Sequence, residues 1–163
     1  MPKVLVLTGR DGEDDRQYAT DTADGAKSVR FAEVEIRTVA ADGSDAGSLA
    51  RKPLACAHQL RDFDAVIVVS AGTEASADLV ALLDDLQRES HLHDLANTVF
   101  AVTGAHSAFL SERLGALGGI VVTAPAGQSE ADARRSIGVR VAKLAEWIRH
   151  ALSHERNHQH HHH

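Results

Sequence analysis

The stretch Asp64-Ala-Val-Ile-Val-Val-Ser70 is the most strand-like part of this 163-residue chain. Its five central residues are all apolar, and four of them are β-branched. A run of this kind is typical of a parallel strand whose two faces are both covered. A second run, Lys3-Val-Leu-Val-Leu-Thr8, has the same character near the start of the chain. We therefore predict a first strand at residues 3–8 and a central strand at residues 64–70.

Strand and helix patterns alternate along the rest of the chain. The segment from Glu33 to Val39 alternates polar and apolar residues, as an edge or half-covered strand does. Short apolar runs predict further strands at 98–102 and 120–123, and residues 40–52 form a polar connection. Helices are predicted at 14–29, 54–60, 76–88, 107–114 and 128–152. Because strands alternate with helices, we expect βαβ crossovers and a parallel sheet with helices on both faces.

Small residues follow one side of the first predicted helix. Ala19, Ala23 and Ala26 recur there at helical spacing. Small side chains let a helix backbone lie close to a sheet, so we expect this helix to pack tightly. In the last predicted helix we interpret Trp147 as a packing residue.

Length and composition indicate one domain. A chain of 163 residues that is 44% hydrophobic can build a single core, which we assign to residues 1–153. The remaining residues, 154–163, form a tail whose final histidine run is typical of an expression tag. No stretch approaches the roughly 18 to 20 apolar residues of a membrane span. Charges come too early for a secretory signal, so we expect a cytoplasmic protein without membrane contact.

Charge and cysteine usage exclude several kinds of site. The formal charge is −6 and Lys and Arg are not clustered on one segment, which argues against a nucleic-acid partner. Cys56 is the single cysteine, so it cannot form an internal disulfide, and we interpret it as a packing residue. His91 and His93 have the spacing of metal ligands, but no carboxylate or cysteine pattern completes a set. We therefore predict no metal site.

Several core and helix segments resemble multimeric flavodoxins of the WrbA type. The matching segments are Met1-Pro-Lys-Val-Leu-Val-Leu7, Ala19-x3-Ala23-x-Gly25-Ala26, Ala32-Glu-Val-Glu-Ile-Arg-Thr-Val39, Leu60-x-Asp62-Phe-Asp-Ala-Val-Ile67, Gly118-Gly-Ile-Val-Val122 and the helix from Ser129 to Leu144. The resemblance implies a flavodoxin-like three-layer α/β/α sandwich with a five-stranded parallel sheet in the order 2-1-3-4-5.

The same resemblance implies a function. Members of that family bind flavin mononucleotide (FMN) and act as NAD(P)H:quinone oxidoreductases, usually as tetramers. The implied protein is an FMN-dependent homo-oligomer that takes electrons from NAD(P)H and passes them to a quinone-like acceptor. This chain is shorter than the family, and the segments that the family inserts after its third and fourth strands are here trimmed to tight turns.

Three loops form the predicted site. In an open parallel sheet, ligands bind beyond the carboxyl ends of the strands near the point where strand order reverses. The loops concerned are residues 9–14, 71–75 and 103–107. The predicted cofactor-binding residues are Thr8, Gly9, Arg10, Gly12, Gly72, Thr73, Thr103, Gly104 and Ser107. We predict His106 as the catalytic residue, a proton donor to a reduced quinone; alternatively, His106 and Ser107 cap the following helix.

The first loop is acidic where the resemblance places the flavin phosphate. It carries the four carboxylates Asp11, Glu13, Asp14 and Asp15. Two unit charges about 4 Å apart interact with roughly 4 kcal/mol at an effective dielectric near 20, so we expect weakened phosphate binding. The alternative role of these carboxylates is to cap the first helix and to complement its dipole.

The sequence leaves two main interpretations open. One is the WrbA-like flavoenzyme, and the other is a flavodoxin-fold protein that has lost FMN and serves as a non-catalytic binding or scaffold module. A PfpI-type hydrolase is a third interpretation, although Thr103-Gly104-Ala105 has no cysteine where that family needs its nucleophile. A receiver-like Mg²⁺ site would need an aspartate and a lysine where Ser70 and Thr123 stand.

Overall fold

The fold was obtained as a computed structural model, which describes residues 2–9, 12–39, 48–49, 60, 62–71, 77–88, 95–104, 107–123, 127 and 129–160. The strands are β1 (Lys3–Thr8), β2 (Glu33–Val39), β3 (Ser48–Leu49), β4 (Ala65–Ser70), β5 (Val99–Gly104) and β6 (Ile120–Val122). The helices are α1 (Glu13–Lys27), α2 (Ala77–Arg88), α3 (Ser107–Gly115) and α4 (Glu130–His160).

The strands form one parallel sheet in the order β3-β2-β1-β4-β5-β6. Without β3, this is the order 2-1-3-4-5, so the predicted flavodoxin-like α/β fold is confirmed. The short edge strand β3 pairs with the end of β2, within a stretch predicted as a polar connection. Two residues are too few to show the alternating pattern from which a strand is predicted.

Both faces of the sheet are buried at its central strands β1, β4 and β5, apart from the terminal residues Lys3 and Gly104. Alternate residues of β4 point in opposite directions, so Val66 and Val68 pack with Leu79 of α2 in one hydrophobic cluster. Ala65 and Ile67 pack with residues of α1 and α4 in the other. All six residues of β4 are buried, which confirms the prediction of a central strand covered on both sides.

Two features of the last helix differ from the prediction. The helix continues to His160, beyond the predicted end near residue 152. Trp147 is 68% exposed, so its interpretation as a packing residue is wrong. The sheet-facing side of α4 carries Ile137, Val141 and Ala145. Trp147 lies off that side because successive residues of a helix are rotated by about 100°.

The predicted helix at 54–60 lies outside the described residues, apart from Leu60. Cys56 and the histidine pair at 91 and 93 also lie outside them. Within the described part of the chain, no helix has the length and apolar character required to cross a membrane.

Helices α1 and α4 touch through two glycines. A Cβ atom on Gly25 would overlap the carbonyl oxygen of Arg135, and one on Gly138 would overlap that of Thr22. The two backbones are therefore in direct contact. On the sheet side of α1, the predicted small residues Ala19, Ala23 and Ala26 are buried. The close packing expected for this helix is confirmed, and it extends to a second helix as well as to the sheet.

We expect Gly138→Ala to lower the free energy of unfolding by about 1–3 kcal/mol, because the added methyl group must push α1 and α4 apart. Denaturant unfolding measures this change. Gly115→Ala is the matched control, since a Cβ there meets only Val121 Cγ2 at 3.8 Å. The control should stay within about 0.5 kcal/mol of the parent chain. Equal effects of the two substitutions would contradict the proposed backbone contact.

Candidate functional site

Three of the predicted phosphate ligands, Thr8, Gly9 and Gly12, lie in the described part of the first loop and its flanks. Thr8 is 2% exposed, and its hydroxyl is 2.9 Å from the hydroxyl of Thr38 on β2. Its hydrogen bond therefore links two strands. Gly9 is buried, and Gly12 is the N-cap residue of α1, with an extended backbone and no side-chain capping bond among the described residues.

Four of the other predicted site residues lie outside the part of the chain that the structure describes, and a fifth is described only in its backbone. Arg10, Gly72, Thr73 and His106 lie outside the described residues, and only the backbone of Ser107 is described. Their predicted roles stay predictions. The structure therefore bears mainly on Thr8, Gly12, Thr103 and Gly104.

Asp15 places a carboxylate at the start of α1. The side chain is buried, and its Oδ1 accepts a hydrogen bond from the backbone N–H of Ala71 at 3.4 Å. Its Oδ2 lies 2.9 Å from the position that a Cβ on Gly12 would occupy. Glu13 and Asp14 are exposed. Of the described acidic residues in this turn, Asp15 alone points inward, into the crevice between β1 and β4.

This position is where strand order reverses and where a flavodoxin-like fold offers a helix N-terminus to a phosphate. Asp15 supplies negative charge to that helix end, as the alternative role of the acidic loop required. A phosphate dianion placed beside it would meet a carboxylate of like charge. The described residues therefore do not fit the phosphate group of FMN.

A cavity of about 650 Å³ opens at the same edge of the sheet, displaced toward β6. Strands contribute Thr103 and Val122, α1 contributes Tyr18, and α4 contributes Glu130 and Arg134. The remaining lining is mostly small and apolar, from Ala71, Val102, Ala108 and Ala133. This volume and apolar character are typical of small-molecule pockets, which span roughly 300–1,000 Å³.

The sheet leaves a notch beside Thr103. β6 ends at Val122, which pairs with Ala101, whereas β5 continues to Gly104. The last residues of β5 therefore have no described strand beside them on that side. Arg140 holds the chain just after β6, because its Nη1 donates to the carbonyl oxygen of Thr123 at 2.9 Å.

Thr103 lies in this notch with an unpaired hydroxyl. Its side chain is on the same face as Ala101, the face covered by α1 and α4. Thr103 is 6% exposed, and its Oγ1 has no hydrogen-bond partner within the described part of the chain. A buried hydroxyl without a partner is destabilising, so an unpaired oxygen at a cavity wall is a candidate ligand contact.

One wall of the cavity is an ion pair stacked on an aromatic ring. The Nε and Nη2 atoms of Arg134 donate to the same oxygen of Asp21, at 3.2 and 3.0 Å. The guanidinium carbon lies 3.8 Å from the centre of the Tyr18 ring. Arg134 and Asp21 are both buried, and Gln17 also donates to Asp21, at 3.1 Å. These contacts fix the guanidinium and neutralise much of its charge.

Gly104 lies close to the backbone of the neighbouring strand. It has a φ of 96°, and a Cβ there would overlap the carbonyl oxygen of Ser70. The same Cβ would lie 3.4 Å from the Tyr18 ring. The absence of a side chain at Gly104 thus lets β5 lie close to β4 and to Tyr18. Gly104 also lines the cavity.

Sequence reasoning missed Tyr18 and Arg134 as site residues. Both lie on helices outside the three predicted loops, and neither belongs to a motif. Their approach depends on the contact between α1 and α4, which links residues far apart in sequence. In the described part of the chain, no group of three His, Cys, Asp or Glu side chains is arranged to hold a metal ion.

Comparison with known proteins supports the fold. No protein-family model matches the chain, and no curated sequence matches it. Similar solved structures include a short-chain flavodoxin associated with a non-canonical PDU bacterial microcompartment, with a TM-score of 0.64 and 12% identity over 89% of this chain and 99% of that one.

Two further structures have the same architecture. The flavoenzyme NAD(P)H:(acceptor) oxidoreductase FerB from Paracoccus denitrificans has a TM-score of 0.60 and 15% identity over 91% of this chain and 98% of that one. Flavodoxin 2 from Bacillus cereus has a TM-score of 0.57 and 16% identity over 86% of this chain and 98% of that one. At these identities the likeness shows the fold alone, which is flavodoxin-like.

We expect Thr103→Val to raise the free energy of unfolding by about 1 kcal/mol, because valine keeps the shape and removes a buried, unpaired hydroxyl. Thermal unfolding followed by circular dichroism measures the effect. Thr8→Val is the matched control at the end of another strand, where it removes the bond to Thr38. Thr8→Val should not raise the free energy of unfolding. A loss of stability in Thr103→Val would show that its hydroxyl has a partner.

Proposed function

We propose that this chain is a flavodoxin-fold binding protein that does not hold FMN in the manner of a flavodoxin. The observation that carries the proposal is the inward-pointing carboxylate of Asp15 at the N-terminus of α1, bonded to the N–H of Ala71. A flavin phosphate would need the N–H groups and the positive dipole end of this helix, and the buried carboxylate lies in the same first turn.

The surrounding residues support the same proposal. Thr8, the hydroxyl closest in sequence to the loop, is bonded to Thr38 on the neighbouring strand. Glu13 and Asp14 add two further negative charges in the first turn of α1. The cavity toward β6 leaves space for a ligand whose binding does not depend on this helix end. We assign the protein a binding role without a catalytic step.

The second candidate is the FMN-dependent NAD(P)H:quinone oxidoreductase that the WrbA resemblance implies. The observation that favours it is the cavity at the carboxyl edge of β5, next to the predicted residues Thr103 and Gly104. On this candidate the flavin supplies the redox chemistry, and the chain positions it. NAD(P)H, a quinone-like acceptor, a homo-oligomer, a cytoplasmic location and the role of His106 belong to this candidate as proposals.

A flavin titration separates the two candidates. We expect the untreated protein to lack flavin absorbance in the visible range, and added FMN to cause neither saturable fluorescence quenching nor a rise in melting temperature. Stoichiometric FMN in the purified protein, or tight binding on addition, would overturn the proposal and favour the flavoenzyme.

Asp15→Asn tests whether the negative charge of this side chain is what prevents FMN binding. Asparagine keeps the size of the side chain and an acceptor for the Ala71 N–H, but removes the charge that repels a phosphate. We expect FMN affinity to rise by at least about tenfold, which corresponds to about 1.4 kcal/mol. Asp14→Asn is the matched control, because that neighbouring carboxylate is exposed and should have a smaller effect. Equal gains in FMN affinity in both variants would show that the overall negative charge of this turn weakens FMN binding, and that the buried carboxylate has no special effect.

A further inference from the structure

The cavity beside β6 contains a polar atom that the fold leaves unused. Thr103 lines the cavity, and its buried Oγ1 lacks a hydrogen-bond partner among the described residues. A threonine hydroxyl donates one hydrogen bond and can also accept hydrogen bonds. It can therefore donate to a carbonyl or a hydroxyl oxygen of a ligand. A ligand that supplies such an oxygen recovers the free energy that the unpaired group costs.

The walls around this hydroxyl are mainly apolar. Ala71, Val102 and Ala108 line one part of the cavity, and Val122 and Ala133 line another. Tyr18 adds an aromatic ring to the lining, and Arg134 covers one face of that ring. Apolar walls with few polar contacts are the usual form of a site for a small organic molecule.

The charges at the cavity disfavour an anion. Of the described lining residues, Arg134 is the cation, and two of its N–H groups are directed to one oxygen of Asp21. Glu130, the first residue of α4, also lines the cavity and is exposed. At these described residues, a phosphate or carboxylate ligand would meet an arginine that is already paired and an acidic side chain. A neutral ligand meets neither penalty.

We propose that this cavity binds an uncharged, mainly apolar organic molecule whose carbonyl or hydroxyl oxygen bonds to the hydroxyl of Thr103. The inference rests on the proposed binding role and names the class of ligand. Asp15 is not among the described lining residues, although its Oδ1 is bonded to the lining residue Ala71. FMN binding and binding of the neutral ligand are therefore measured in separate titrations.

Three probes of one shape test the ligand class on the full chain. Benzophenone has two aromatic rings and a carbonyl, diphenylmethane replaces the carbonyl by a methylene group, and 4-benzoylbenzoate adds a negative charge. Binding is followed by amide chemical shifts in ¹⁵N-labelled protein. We expect saturable shifts at Thr103, Gly104 and Ser111, with benzophenone bound about tenfold more tightly than diphenylmethane. 4-Benzoylbenzoate should bind more weakly than benzophenone.

Thr103→Val tests the proposed contact. It should remove the preference for benzophenone over diphenylmethane, while leaving the binding of diphenylmethane unchanged. Thr98→Val is the matched control, because Thr98 is a buried threonine just before the opposite end of β5. The control should keep the tenfold preference. If Thr103→Val does not fold, the comparison of the two neutral probes on the parent chain still tests whether the carbonyl group strengthens binding.

Equal affinity for benzophenone and diphenylmethane on the parent chain would overturn the inference, as would tighter binding of 4-benzoylbenzoate. Shifts confined to residues away from Thr103 would also overturn it. Failure of the broader proposal has a different signature, namely tight FMN binding by the parent chain. Benzophenone binding should be unchanged in Asp14→Asn, because that carboxylate is exposed and is not among the described lining residues of the cavity.

Discussion

The contact between α1 and α4 sets the geometry of the candidate site. At Gly25 and Gly138 each helix lacks a side chain, so the backbones touch. At this separation Arg134 reaches Asp21 with two N–H groups and lies over the ring of Tyr18. A buried ion pair is tolerated when its geometry is good and its remaining hydrogen bonds are made. This wall of the cavity, formed by Arg134 and Tyr18, is therefore built by helix packing.

Charge determines what the carboxyl edge of the sheet can accept. The helix end that a flavodoxin-like fold offers to a phosphate faces the carboxylate of Asp15. The cation in the cavity, Arg134, is paired with Asp21. Among the described residues, each of these two positive groups thus has a carboxylate of the chain close to it. The buried hydroxyl of Thr103 is neutral and has no described partner. Electrostatics and hydrogen bonding thus agree on a neutral ligand.

Much of the fold was predictable, because burial of strands leaves a direct signal. Continuous apolar runs identified β1 and β4, and the strand order came from the family resemblance. The two-residue strand β3 was not predictable, since its formation depends on the adjacent end of β2. The exposure of Trp147 was also missed, because an aromatic residue on a helix does not reveal which side faces solvent.

Sequence alone determined the alternating α/β order, the covered central strand, which was predicted at 64–70, and the acidity of the first loop. It also identified the loops after β1, β4 and β5, since carboxyl ends of parallel strands meet at one edge. Tertiary structure decided which of the described carboxylates points inward, that of Asp15, and that Thr103 has no described hydrogen-bond partner where β6 ends early. Hydrogen bonding and packing between residues distant in sequence fix both outcomes, and such contacts leave no local pattern.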